Sequence, residues 1–347
     1  MPWKQEKDPY KIWISEIILQ QTRVEQGLPY YERFINAFPK VAALATADDD
    51  AIYKMWQGLG YYSRCKNLIA TARYIHEQLD GKFPETYEMI LALKGVGPYT
   101  AAAIASFAYN LPHAVLDGNV FRVLSRYFGM YTPIDSTLGK KEYAHKAQLL
   151  LDKKDAGAYN QAIMDFGALI CRPANPQCNI CVLRTKCVAY QGNKQDLLPV
   201  KVKKITKTKR CFNYVVIKTR KGIVVRKRTA ADIWQNLYDF MLLESDLIIP
   251  AEKLLSKQPF TAVLEHSKWL VINSSKNFTQ TLTHQHITAR FVLIEVDTLP
   301  HLPAGFQIVS LAQLQTLAFP KIIAAYLTDR NVSLNLNLSK QQELCAV

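Results

Sequence analysis

Four cysteines, Cys171, Cys178, Cys181 and Cys187, fall inside seventeen positions of a 347-residue chain that has only seven in all. Thiolates spaced Cys-x6-Cys-x2-Cys-x5-Cys converge on one soft metal centre, because a short loop can wrap round it. Disulfides are the competing use of such residues. They are weakened by the odd cysteine total and by an N-terminus, Met1-Pro2-Trp3-Lys4, that has no apolar signal core. A tetrahedral zinc site is also satisfied by four thiolates, so spacing alone leaves the choice of metal open.

Two carboxyl groups stand in unlike settings. Glu16 sits among Ile14, Ile17 and Ile18, beside Gln20 and Gln21. A desolvated carboxyl there rises in pKa and keeps its proton near neutral pH, which suits a general acid. The ordinary alternative is a helix glutamate that rotates to solvent. Asp117 precedes Gly118-Asn119-Val120. Such an aspartate is most often a helix N-cap, but an ionised carboxylate beside developing positive charge is the functional use. Two further stretches carry glycine. Gly95-Val96-Gly97-Pro98-Tyr99 is a tight turn whose following helix aims free N–H groups at an anion such as a DNA phosphate. Gly58-Leu59-Gly60-Tyr61-Tyr62 puts two aromatics on a loop that can pack or wedge into a base stack.

The elements that must hold these residues are legible from periodicity and punctuation. Asp8-Pro9 reads as an N-cap followed by proline at the first helical position. Further helices are expected at 41–47, 49–57, 63–79, 87–92, 98–108, 118–128, 140–151 and 159–170, with breaks at Asp80-Gly81 and Lys94-Gly95. Residues 194–210 are rich in Lys and Arg and contain Pro199, the mark of a basic tether. Short β-branched and aromatic runs then predict strands at 212–219, 222–228, 268–273, 279–285 and 289–296, with helices near 250–256 and 311–327.

Composition bounds the partners. The net charge is +14 with 49% hydrophobic residues, so the chain buries a core and favours a polyanion. The longest early apolar run, residues 12–19, is broken by Ser15 and Glu16 and is too short for a bilayer span. The expectation is a soluble protein of a reducing compartment, cytoplasmic or nucleoid-associated, with no membrane partner.

Taken together, Trp3, Asp8-Pro9-Tyr10, Ser15-Glu16, Leu19-Gln20-Gln21-Thr22, the 58–62 loop, the Gly95-Val96-Gly97 turn, Leu116-Asp117-Gly118-Asn119-Val120 and the four cysteines resemble the MutY family of adenine DNA glycosylases. The resemblance covers nearly all of residues 1–190. It implies a multidomain protein. An all-α helix-hairpin-helix glycosylase domain with a 4Fe–4S cluster loop occupies 1–190. A basic inter-domain linker follows at 191–210, then an α+β Nudix-like lesion-recognition domain at 211–347. It implies a 4Fe–4S cluster on Cys171, Cys178, Cys181 and Cys187, and a monomer acting on double-stranded DNA with adenine opposite 8-oxoguanine or guanine. By the same resemblance Glu16 is the acid that protonates adenine N7, and Asp117 stabilises an oxocarbenium-like sugar. Tyr99 organises the site and Asn119 supports it. Gln21 and Tyr61 match residues inserted near the oxidised guanine, and with Thr22, Leu59, Gly60 and the hairpin's Gly95, Val96 and Gly97 they contact DNA.

Tyr99 stands where bifunctional relatives carry a lysine, so a monofunctional enzyme is implied. In the C-terminal half, residues 234–240 resemble the family's aromatic segment, and no glutamate-rich Nudix box follows. Leu282-Thr283-His284 replaces the family's Phe-Ser-His, which keeps a hydroxyl and an imidazole and makes Thr283 and His284 the expected lesion readers. The competing readings are an endonuclease III-like glycosylase/lyase, which Tyr99 and the extra domain oppose, and a non-catalytic damage binder, which the presence of both Glu16 and Asp117 opposes.

Overall fold

Two largely apolar helices, α1 (Pro9–Leu19) and α7 (Pro98–Tyr109), pack together in the first unit. The computed structural model describes residues 6–202, 206–297 and 301–336, so Trp3 and residues 203–205 of the basic stretch lie outside the described residues. The chain forms two compact units, one of Met1–Thr46 with Lys66–Lys204, the other of Ala47–Cys65 with Ile205–Val347.

In the first unit, α1 (Pro9–Leu19) starts where Asp8 accepts from the Tyr10 N–H and proline fills the first turn. Helices α2 (Val24–Ala37) and α3 (Val41–Thr46) follow. The former runs through Pro29, which the sequence reading did not expect; burial of Tyr31 and Phe34 outweighs the lost helix bond. Helix α4 (Asp49–Trp56) belongs to the second unit, and α5 (Tyr62–Gln78) leads back into the first. The hairpin is α6 (Tyr87–Leu91), a turn, and α7 (Pro98–Tyr109). Ala101 to Ala105 of α7 are all buried. Small side chains over that stretch let α1 pack closely on it.

Next comes α8 (Gly118–Phe128), whose N-cap is Asp117. Helices α9 (Thr137–Leu150) and α10 (Ala156–Leu169) each begin three residues earlier than the apolar pattern suggests, because Ser136 and Asp155 cap them. The short α11 (Val188–Gln191) closes the cysteine loop.

Among the described residues, the second unit is built on one mixed sheet of eight strands. Its spine is β1 (Thr208–Thr219) paired in parallel with β7 (Gln285–Val296). On β1 are the antiparallel neighbours β2 (Gly222–Lys227) and β4 (Met241–Ser245). On β2 are β3 (Tyr238–Asp239) and β8 (Phe306–Val309). On β7 are β5 (Trp269–Ser274) and β6 (Phe278–Thr281). One face is covered by α12 (Ala251–Leu255) and α13 (Phe260–Leu264), whose leucines and Phe260 join Val215, Val224 and Val292 in a core.

Three expectations are corrected here. The strand expected over 279–285 ends at Thr281, and Leu282-Thr283-His284 form the loop into β7, closed by the Leu282 N–H on the Gln285 carbonyl. The helix expected near 311–327 is two, α14 (Leu311–Thr316) and α15 (Lys321–Leu327), parted at Pro320. Strands β3, β4 and β8 and helices α2, α11, α13 and α16 (Arg330–Asn335) lie outside the expectations; strands this short carry little period-2 signal.

Candidate active site

A cleft of about 1100 Å³ opens in the first unit, lined among others by Glu16, Gln20, Tyr99, Asp117, Asn119 and Asp165. Glu16 comes from the middle of α1 and is only 8% exposed, in a helix whose neighbours Ile14, Ile17 and Ile18 are buried. Burial pushes its carboxyl up to about 7; a hydrogen bond from Tyr99 pulls back, and the Asp117 charge adds to the rise. Tyr99 stands in the first turn of α7, and burial, then the Glu16 charge, raises its phenol well above the usual range. It is therefore a neutral donor to Glu16.

Asp117 is both an N-cap and a cleft residue. Its Oδ1 accepts from the Val120 N–H at 2.7 Å and its Oδ2 from Asn119 Nδ2 at 2.7 Å. Burial raises its pKa, while those hydrogen bonds and the Arg122 charge oppose the rise. The two carboxyls are thus unlike. One is dry with a single phenol donor, and the other is held by donors that favour its anion. The local reading of Asp117 as a cap and its reading as a functional carboxylate describe the same geometry.

Arg122 was not singled out by the sequence, and it orients the site. It is buried on α8, donates to Asn119 Oδ1 at 2.8 Å, and so turns the Asn119 amide toward Asp117. It also donates to the Gly167 carbonyl and to the Cys171 carbonyl, each at 2.6 Å. Gly167 is a required glycine, since a Cβ there would lie 2.7 Å from Asn119 Cβ. One turn on, buried Arg126 donates to the carbonyls of Arg172, Pro173, Gln195 and Leu198. The available signal was a pair of arginines four apart on an amphipathic helix shortly before the cysteines.

That loop holds Cys171, Cys178, Cys181 and Cys187 as free thiols. Arg126 Nη1 stands 3.5 Å from Cys171 Sγ, and Cys187 Sγ lies 3.4 Å from the Arg126 carbonyl. Burial raises the Cys178 thiol; a hydrogen bond with Gln195 opposes this, and the charges of the other three cysteines add to the rise. All four thiols therefore share one neighbourhood. Among the described residues no three His, Cys, Asp or Glu side chains gather closely enough for a single ion. Four cysteines on one loop form a soft donor set of the kind that holds either an iron–sulfur cluster or zinc.

The remaining expected residues fall in separate places. Gln21 and Thr22 line the cleft just past α1, with Gln21 at φ 55°. Gly97, also a lining residue, caps α7, while Gly95 makes the turn at φ 80° with Asn67 against it. Val96 is buried beneath that turn. Leu59, Gly60, Tyr61, Thr283 and His284 belong to the second unit, where Tyr61 Oη is 2.8 Å from Thr283 Oγ1. The His284 carbonyl accepts from the Thr208 N–H at 2.9 Å. No helix among the described residues is long and apolar enough to cross a membrane.

The chain is similar to known proteins. Residues 14–145 match the family described as HhH-GPD superfamily base excision DNA repair protein, and residues 213–329 match the NUDIX domain. The chain is 39% identical over 240 residues to the adenine DNA glycosylase of Buchnera aphidicola subsp. Schizaphis graminum, covering 69% of each chain. It is 36% identical over 296 residues to that of subsp. Baizongia pistaciae, covering 80% of this chain and 83% of that one. The adenine DNA glycosylase of Homo sapiens is 38% identical over 207 residues, 57% of this chain and 38% of the human one. Among solved structures, a thermostable thymine-DNA glycosylase superposes with a TM-score of 0.52 at 30% identity, covering 55% of this chain and 88% of that chain.

The buried carboxyl makes stability depend on pH. Folding raises Glu16 from 4.5 to about 7, so the native state binds its proton more tightly than the unfolded chain. Its favourable contribution is full below about pH 4.5 and is lost as pH rises through about 7. Glu16→Gln removes that loss. The variant is expected to match wild type near pH 5 and to be more stable at pH 8, by on the order of 2–3 kcal/mol. Urea unfolding at the two pH values measures this; equal stability at pH 8 contradicts a desolvated Glu16.

Proposed function

The chain belongs to the adenine DNA glycosylase family, and on that premise we propose how its cleft releases the base and which mispair it serves. It is a base-excision-repair enzyme that hydrolyses the N-glycosidic bond of adenine. We read its substrate as double-stranded DNA with adenine opposite 8-oxoguanine or guanine, its action as that of a monomer, and its place as the cytoplasm. The net charge of +14 supports a polyanionic partner.

Adenine inside a duplex is out of reach of a buried acid, so the nucleotide must leave the stack and enter the cleft. Glu16 as a carboxylic acid then gives its proton to N7. The C1′–N9 bond breaks and its electron pair passes to the neutral leaving base. The sugar left behind carries oxocarbenium character, which the Asp117 carboxylate offsets. Water adds to C1′, its proton returns to the Glu16 carboxylate, and an abasic site remains. The single observation that carries this reading is the pairing of a carboxyl raised to about 7 with a hydrogen-bonded, capped carboxylate in one cleft. Tyr99 has no amine to form a Schiff base, so the strand stays intact.

Cys171, Cys178, Cys181 and Cys187 would hold a 4Fe–4S cluster. When bound, that group supplies a covalent cross-brace to the loop. Arg126 holds the chain entering that loop from the side of α8. In the second unit, the Thr283 hydroxyl and the His284 imidazole are the groups we assign to telling 8-oxoguanine from guanine.

In single-turnover assays on adenine opposite 8-oxoguanine, Glu16→Gln and Asp117→Asn each lose at least ~100-fold while still binding DNA. Wild-type excision falls as pH rises through about 7 and leaves the strand uncut until alkali is added. Near wild-type rates in either variant reject its role. Protein purified without oxygen is expected to contain about four irons per chain; stoichiometric zinc with no iron rules the cluster out. Thr283→Ala is expected to lower the preference for 8-oxoguanine over guanine opposite adenine by roughly five- to tenfold, the cost of one unpaired hydrogen bond. An unchanged ratio in a stably folded variant removes Thr283 from lesion reading.

A further inference from the structure

The loop that carries Tyr61 is fastened to the C-terminal sheet by the helix before it. Hydrogen bonds tie α4 and the residue after it to the rest of its unit. Lys227, at the end of β2, pairs with Asp50 Oδ1, and Tyr238 Oη donates to Asp50 Oδ2 at 2.8 Å. Asn236 Nδ2 donates to Tyr53 Oη at 2.8 Å. Lys54 Nζ donates to the Leu317 carbonyl at 2.9 Å, and the Phe319 N–H to Gln57 Oε1 at 3.1 Å. Asp50 is the one carboxylate among these groups and takes two donors. Its partners are themselves linked, since Lys227 Nζ lies over the Tyr238 ring at 5.8 Å. A half-exposed ion pair alone contributes little. Here the pair also takes a hydrogen bond from a tyrosine whose ring is buried, so the face α4 presents to the sheet is fixed.

From that clamp to Tyr61 the chain has little freedom. Helix α4 is continuous from Asp49 to Trp56, and the Trp56 indole N–H donates to the Gly60 carbonyl at 3.1 Å. Gly58, Gly60 and Tyr61 turn the loop with φ of 99°, 75° and 47°. The Arg64 guanidinium lies over the rings of both Trp56 and Tyr61. The end of this path is Tyr61 Oη, 2.8 Å from Thr283 Oγ1.

We propose that Asp50, clamped by Lys227 and Tyr238, is a positioning residue for lesion specificity: it sets where Tyr61 meets Thr283. The inference rests on the reading that Tyr61 and Thr283 stand at the base opposite adenine. Glu16 and Asp117 lie in the other unit, so losing the clamp acts on discrimination through Tyr61 and not through the acid or the anion.

The test is a double-mutant cycle with full-length protein, read as the ratio of adenine excision opposite 8-oxoguanine to that opposite guanine. Tyr61→Phe removes only the hydroxyl and is expected to lower the ratio. Asp50→Ala is expected to lower it roughly three- to tenfold, as loss of a charge-assisted pair allows. In the Tyr61→Phe background, Asp50→Ala should then have no further effect, because it acts through the same contact. Lys227→Ala, made at a half-exposed site, should follow Asp50→Ala and carries the test if the latter folds poorly in thermal melts. An unchanged ratio in folded Asp50→Ala and Lys227→Ala, or effects that multiply with Tyr61→Phe, overturns the proposal while leaving the function intact. An unchanged ratio in Tyr61→Phe instead overturns the reading of that loop, and the inference falls with it.

Discussion

Putting a carboxyl group into an apolar helix pair is the constraint on which the first unit depends. The apolar surface of α1 is buried against an alanine-rich α7, and Glu16 goes in with it. Its ionised form is costly there, so the proton stays on until about pH 7. The price is a destabilised native state above that pH. A phenol donor, Tyr99, softens that cost without neutralising it, since a lysine or arginine in its place would have stripped the proton away.

The second carboxylate is managed by the opposite device. Helix α8 begins at Asp117, and its first free N–H groups and the Asn119 amide favour the anion. Farther along the same helix, Arg122 and Arg126 reach the carbonyls of the cysteine loop. One rigid element thus holds Asp117 at one end and the cysteine loop at the other. A side chain that orients Asn119 also bonds the carbonyl of Cys171, so the two features cannot drift independently.

In the second unit, residues that are far apart in sequence meet. The segment Ala47–Cys65 interrupts the helical unit in sequence yet clusters with the C-terminal sheet. It brings with it the loop of Tyr61, whose hydroxyl meets that of Thr283 across 222 positions of chain. Polar contacts of this kind bring modest stability and define register.

The sequence by itself determined the chemistry that was available. Cysteine spacing, an isolated glutamate in an isoleucine run, an Asp-Gly-Asn step and paired glycines are local signals, because each depends on residues within one turn or loop. Most helix positions were legible for the same reason. Short strands such as β3 and β8 were not, since two to four residues hold too little alternation to read. The sequence pattern reads strand through Leu282-Thr283-His284, because its threonine fits either state. Only the tertiary structure decided that Asp117 faces the same cleft as Glu16, that Arg122 turns Asn119 toward it, and that α4 belongs to the sheet. Each of those is a contact between segments distant in the chain, settled by which surfaces can be buried together and by where buried polar groups find partners, and no local pattern encodes that.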